Sequence, residues 1–189
     1  MASPQPPSVD WLIDHFGLEP LAVEGGRYAE TWRSHRHWPG NDKPAGTAIL
    51  FLLTATPDGF SAWHRLPADE VWHRYLGDPA RLVLLHPEGA REHSNREAGA
   101  RQDIVLGDDL AGGQQVQVVV PAGAWMACYV PAGGPCGYTL VGCTMAPGFT
   151  KEDYEGAAPA ELRRAHPEAG ELIQQLSRPQ QPLRMPADY

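Results

Sequence analysis

The residues of this chain that could do chemistry concentrate in Ser61-Ala62-Trp63-His64-Arg65-Leu66-Pro67-Ala68-Asp69-Glu70 and the Val71-Trp72-His73-Arg74-Tyr75-Leu76-Gly77 that follows. A histidine and a carboxylate facing one apolar cavity can pass protons at neutral pH, because burial and mutual pairing tune both groups. His64 and Glu70 lie in two short stretches with strand character, Phe60–Leu66 and Glu70–Leu76. Alternation along extended chain puts Ala62, His64 and Leu66 on one face, and Glu70, Trp72 and Arg74 on one face of the next strand. His73 then points the other way. His64 is the candidate catalytic base and Glu70 its partner. The plainer reading is a satisfied buried polar pair that turns nothing over.

Other side chains are candidates for holding a ligand. Arg33 could grip an anionic group with two parallel hydrogen bonds, or pair with Glu30. Trp72 shares the Glu70 face and is a candidate cavity wall, against ordinary core packing. Gln117 stands beside three valines, as a ligand contact or as a residue facing water at the barrel edge. His35-Arg36-His37 has a metal-binding spacing but sits in a polar loop, where solvated histidines are expected. Cys143 reads as a buried apolar residue rather than a nucleophile.

Around these residues the chain is built for strands. Candidates are Tyr28–Arg33, Thr47–Thr54, Phe60–Leu66, Glu70–Leu76, Arg81–His86, Gln102–Leu106, Gln114–Val120, Trp125–Val130 and Tyr138–Met145, separated by turns such as Pro57-Asp58-Gly59 and Gly77-Asp78-Pro79. Many short strands at this spacing mean a sandwich or barrel. Before them, Val9, Leu12, Ile13 and Phe16 at helical spacing, with Ser8 ahead and Gly17 behind, predict a short amphipathic helix. After them, helices are expected at Pro159–Ala165 and Glu168–Leu176. Residues 1–8 are expected to be a mobile leader, 9–176 one domain, and 177–189 a flexible tail.

Composition narrows the function classes. At 189 residues the chain has the size of one domain. Its net charge of −8, with no basic run longer than Arg163-Arg164, repels phosphate backbones and argues against nucleic acid as a partner. No apolar run approaches the ~20 residues that span a bilayer, and Met1–Pro7 lacks the pattern of a secretory signal. The three cysteines form no CxxC pair, as expected of reduced thiols, so a cytoplasmic protein with no membrane partner is the expectation.

The stretch from His64 to Gly77 resembles the first motif of the cupin superfamily, G-x5-H-x-H-x3,4-E-x6-G, with His64, Glu70 and Gly77 in place and Leu66 where the second histidine stands. Pro121-Ala122-Gly123 resembles the second motif, whose histidine and asparagine positions hold Met126 and Val130. A narrower resemblance is to the cupin family DUF985, or Cupin 5. It is carried by Glu24-Gly25-Gly26-Arg27-Tyr28-Ala29-Glu30-Thr31-Trp32-Arg33-Ser34, Trp63-His64-Arg65 with Asp69-Glu70-Val71-Trp72-His73, Gln117–Gly123, and Val141-Gly142-Cys143-Thr144-Met145-Ala146-Pro147-Gly148-Phe149, in that order.

The resemblance implies an all-β fold, a double-stranded β-helix (the cupin jelly roll) with short N-terminal and C-terminal helices, a homodimer, and a ligand cavity inside the barrel. It brings no established activity. Of the usual cupin metal quartet only His64 and Glu70 remain, so no cofactor is assigned; a divalent metal would need a third, unidentified ligand. Cupin relatives that epimerise 4-keto sugar nucleotides work without metal, through a histidine base and a tyrosine acid, and Tyr28, Tyr75 and Tyr129 are candidate acids here. The expected function is a small-molecule cupin, an isomerase or epimerase acting on a carbohydrate-like or carbonyl substrate by metal-free acid–base chemistry. A non-catalytic ligand-binding or sensing module and a metal-dependent cupin enzyme are the competing classes.

Overall fold

Apolar side chains alternating between turn residues become strands, and the strands pair into two antiparallel sheets. The structure is a computed structural model that describes residues 6–86, 101–178, 180 and 182–186. In chain order the strands are β1 (Glu19–Pro20), β2 (Arg27–Arg33), β3 (Thr47–Thr54), β4 (Ser61–Arg65), β5 (Glu70–Gly77), β6 (Ala80–Leu85), β7 (Arg101–Leu106), β8 (Gln117–Val120), β9 (Trp125–Tyr129), β10 (Tyr138–Met145) and β11 (Glu155–Gly156). One sheet runs β1-β2-β3-β10-β5-β8 and the other β11-β4-β9-β6-β7. Between them lies an apolar core that includes Phe51, Leu82, Leu84, Val118, Met126 and Val141.

Helices cover both outer faces. Helix α1 (Val9–Phe16) starts at Ser8, whose hydroxyl accepts the Trp11 N–H at 3.2 Å, and stops at Gly17, which takes the left-handed φ of 61°. It lays Leu12 on Leu52 and Leu140 of the first sheet. Helices α2 (Pro159–Ala165) and α3 (Gly170–Gln175) place Leu162 and Ile173 on Trp63, Val83, Leu85 and Ala127 of the second. Strands β4 and β6 are thereby buried on both faces, which is why Leu82-Val83-Leu84-Leu85 reads as a continuous apolar run.

One local departure from simple alternation decides what faces the interior. In β5 the pattern holds, with Glu70, Trp72 and Arg74 buried and Tyr75 exposed. In β4 it does not. Ser61 pairs with Cys128 and His64 with Met126, so three steps on one strand oppose two on the other. This β-bulge brings Ser61 to the His64 side and sends Ala62 into the outer cluster under the helices, correcting the expected grouping of Ala62 with His64.

At the chain ends the described residues make a few contacts. Residues 1–5 of the expected leader lie outside the described residues, whereas the Pro7 carbonyl accepts a hydrogen bond from the Tyr138 hydroxyl at 2.7 Å. In the stretch from 177 onward, Arg178, Leu183, Arg184 and Met185 touch the rest of the chain. Arg178 stacks on Phe60 and donates to the Glu24 carbonyl at 3.2 Å, and the Leu183 carbonyl accepts the Gly156 N–H at 2.9 Å. No helix among the described residues is long and apolar enough to cross a membrane.

Candidate active site in the barrel

A cavity of about 490 Å³ opens between the two sheets at one end of the barrel. Its exposed rim carries Glu30, Arg33 and Glu152, and its buried end carries Glu24, His64, Glu70, Cys143 and Tyr154. Leu21, Ile49, Leu66, Met145, Phe149 and Met185 supply apolar wall.

His64 is fixed from two sides. Its Nδ1 lies 2.8 Å from the Ala62 carbonyl, which has no proton to give, so Nδ1 carries the hydrogen and donates it. Nε2 is left facing the interior, 3.7 Å from Glu24 Oε2, and the ring stacks on Tyr154 with centroids 5.5 Å apart. Glu24 is anchored in turn by the Ser61 hydroxyl, which donates to Oε1 at 2.5 Å. Gly25 makes this approach possible. Its φ of +105° suits glycine, and a Cβ there would stand 2.3 Å from the Phe60 carbonyl oxygen.

Glu70 enters from β5 and is 7% exposed. Its Oε2 accepts the Trp72 indole N–H at 2.7 Å, and the Cys143 thiol donates to the same carboxyl. Loss of hydration on burial lifts the Glu70 pKa from 4.5 to about 7; the Glu24 charge pushes the same way, while His64, Trp72 and Cys143 pull back. Burial first, then Glu70 and Glu24, hold the Cys143 thiol well above its ordinary value, so it stays protonated and is a hydrogen-bond donor rather than a nucleophile.

The remaining expected residues are dispersed. Arg33 reaches the rim, but both Glu30 oxygens hold its guanidinium, at 2.9 and 2.6 Å, and a third N–H donates to the Phe149 carbonyl at 3.0 Å. Trp72 is not cavity wall. It is 1% exposed, packs edge-on to Phe51 and acts on the site through Glu70. Gln117 does not reach the cavity either. Val118 and Val120 take the inward positions of β8, which leaves Gln117 exposed with its amide 3.2 Å from His73 Nδ1. Of the three tyrosines, Tyr28 lines the cavity, while Tyr75 and Tyr129 do not.

Glu24, Ser61 and Tyr154 were not singled out from the sequence. The available signal was an acid directly ahead of Gly25-Gly26, a turn able to aim it inward. The cupin quartet positions hold His64, Leu66, Glu70 and Met126, and among the described residues no three His, Cys, Asp or Glu side chains are grouped to hold a metal ion. An aliphatic chain and a buried thioether are poor donors for the hard or borderline cations of such sites, so the residues present do not fit one.

Two antiparallel sheets packed around a cavity, with a histidine and a glutamate from consecutive strands lining it, define a barrel of the cupin kind. The family described as Cupin superfamily (DUF985) matches residues 10–157, and the chain belongs to it. Among solved structures, a hypothetical protein from Leishmania major is 31% identical, with a TM-score of 0.80 over 90% of this chain and 99% of that one. A protein from Shewanella oneidensis is also 31% identical, with a TM-score of 0.78 over 93% of this chain and 100% of its own. No curated protein matches.

Proposed function

We propose that the cavity is the active site of an isomerase or epimerase that moves a proton on a small carbonyl compound without a metal. One observation carries this reading: His64 and Glu70 line the same buried cavity, with Glu70 raised to about 7. Near neutrality such a carboxyl exists in both forms, which suits a group that gives and takes a proton. His64 Nε2 removes the proton from the carbon beside the substrate carbonyl. Protonated Glu70 donates a hydrogen bond to the oxygen on which charge then develops. Return of the proton to the opposite face of the same carbon, from a second group such as a cavity tyrosine that His64 then reprotonates, gives the epimer. Return from His64 to the neighbouring carbon of the enediol, with Glu70 passing the hydroxyl proton between the two oxygens, gives the isomer, and neither course changes the net redox state. Tyr154 and Tyr28, both at the cavity, flank this path.

The test is deuterium uptake from D2O into the carbon next to the carbonyl, followed by NMR across a panel of small aldoses and ketoses. Wild type should catalyse uptake, and His64→Ala should lose about 10²–10⁴-fold of it, the usual contribution of a general base. Uptake unchanged by His64→Ala would overturn the reading. Ligands that bind without ever exchanging would leave a binding or sensing module.

A further inference from the structure

The two ends of the cavity differ in charge. At the buried end stand the carboxyl groups of Glu24 and Glu70, and none of the lining residues that are buried is a lysine or an arginine. The cations on the lining are Arg33, 44% exposed at its side chain and engaged by Glu30, and Lys151, which precedes the exposed Glu152 in the turn Lys151–Asp153. His64 is the one side chain at the buried end able to gain a positive charge, and its free nitrogen already faces Glu24 at 3.7 Å. A proton on His64 is therefore answered by the protein itself. An anionic group brought to the same place would meet Glu24 with no buried lysine or arginine of the lining to balance it, where low dielectric magnifies the repulsion.

We infer that the buried end admits an uncharged hydroxy-carbonyl compound and holds out 2-oxo acids, and that Glu24 makes this choice. This rests on the acid–base reading above and names its substrate class. Carboxylates only accept hydrogen bonds, so a ligand seated on Glu24 must bring donors, and hydroxyl groups are the neutral ones. Ser61 keeps the carboxylate in place by donating to Oε1, which leaves Oε2 for the ligand's donor.

The experiment compares L-erythrulose with 2-oxobutanoate, a neutral ketose and an anionic oxo acid of equal carbon number, on wild type and Glu24→Gln. Saturation-transfer NMR reads binding, and deuterium uptake reads proton abstraction. Wild type should favour L-erythrulose at least tenfold in both, and Glu24→Gln should shrink that preference about tenfold while still binding 2-oxobutanoate better than wild type does. Equal or better handling of 2-oxobutanoate by wild type overturns the inference, as does an unchanged preference in Glu24→Gln. Binding of L-erythrulose without uptake, at the same preference, upholds the charge selection and overturns the catalytic reading instead. The wild-type comparison stands even if Glu24→Gln fails to fold.

Discussion

At the scale of single residues, Glu70 links function to stability. Its pKa is raised from 4.5 to about 7 in the folded chain, so between those values the native state holds a proton that the unfolded chain has released. Its contribution is thus fully present below about pH 4.5 and is lost as pH rises through about 7. At ~1.4 kcal/mol per pH unit the loss is about 3 kcal/mol. Glu70→Gln, which keeps an acceptor for Trp72, should lack this decline. Urea unfolding of both proteins at pH 5 and pH 8 measures it, and parallel pH dependence in the two would contradict the assignment. His64 and Glu70 were legible in the sequence because one contiguous motif carries both. Glu24 was not, since it lies 40 residues before His64 and reaches it through the Gly25-Gly26 turn and a strand irregularity that residue types do not announce. Gln117 was open to either reading because polarity alone does not say which way a strand residue faces.

At the scale of elements, the interior strands were legible and the marginal ones were not. Thr47–Thr54 and Tyr138–Met145 have the expected bounds, because each runs unbroken between turn residues. The expected Gln114–Val120 shortens to Gln117–Val120, since Gln115 makes only an isolated bridge to Leu106. Strands β1 and β11 are two residues each, too short for any period to show. The end of β5 offers a sharp test. Gly77 has a φ of +100°, and a Cβ there would lie 2.3 Å from the Tyr138 carbonyl oxygen. Gly77→Ala should cost ~1–3 kcal/mol for the backbone alone, and more for the clash. Chemical denaturation reads this directly, and a neutral result would mean that β5 and β10 separate at that point without cost.

At the scale of the whole molecule, the cavity is assembled from distant parts of the chain: the loop carrying Glu24, strands β4, β5 and β10, the turn at Lys151–Asp153, and Met185. The turn is tied down by Lys43, which pairs with the buried Asp153 carboxylate. Met185 is held at the cavity wall by the Gly156–Leu183 bond and by Arg184, whose guanidinium donates to the Tyr154 carbonyl at 3.2 Å. A chain ended after Arg178 should keep its β-sheet circular dichroism yet bind a hydrophobic dye such as ANS more strongly, because Tyr154 and the apolar wall lose their cover. Unaltered dye binding would show that Met185 shields nothing. The sequence did not disclose this wall: residues rich in proline and glutamine lack periodicity, and their docking depends on a surface that exists only once the barrel has formed.

The wall also has a place in time. Synthesis delivers residues 64 and 70 long before residue 185, and domains begin to fold while the chain is still growing. Every strand of the barrel is therefore translated before Met185 emerges. A nascent chain at that stage has both sheets in hand but lacks one apolar side chain of the cavity lining, so the wall is completed only after the strands that frame it.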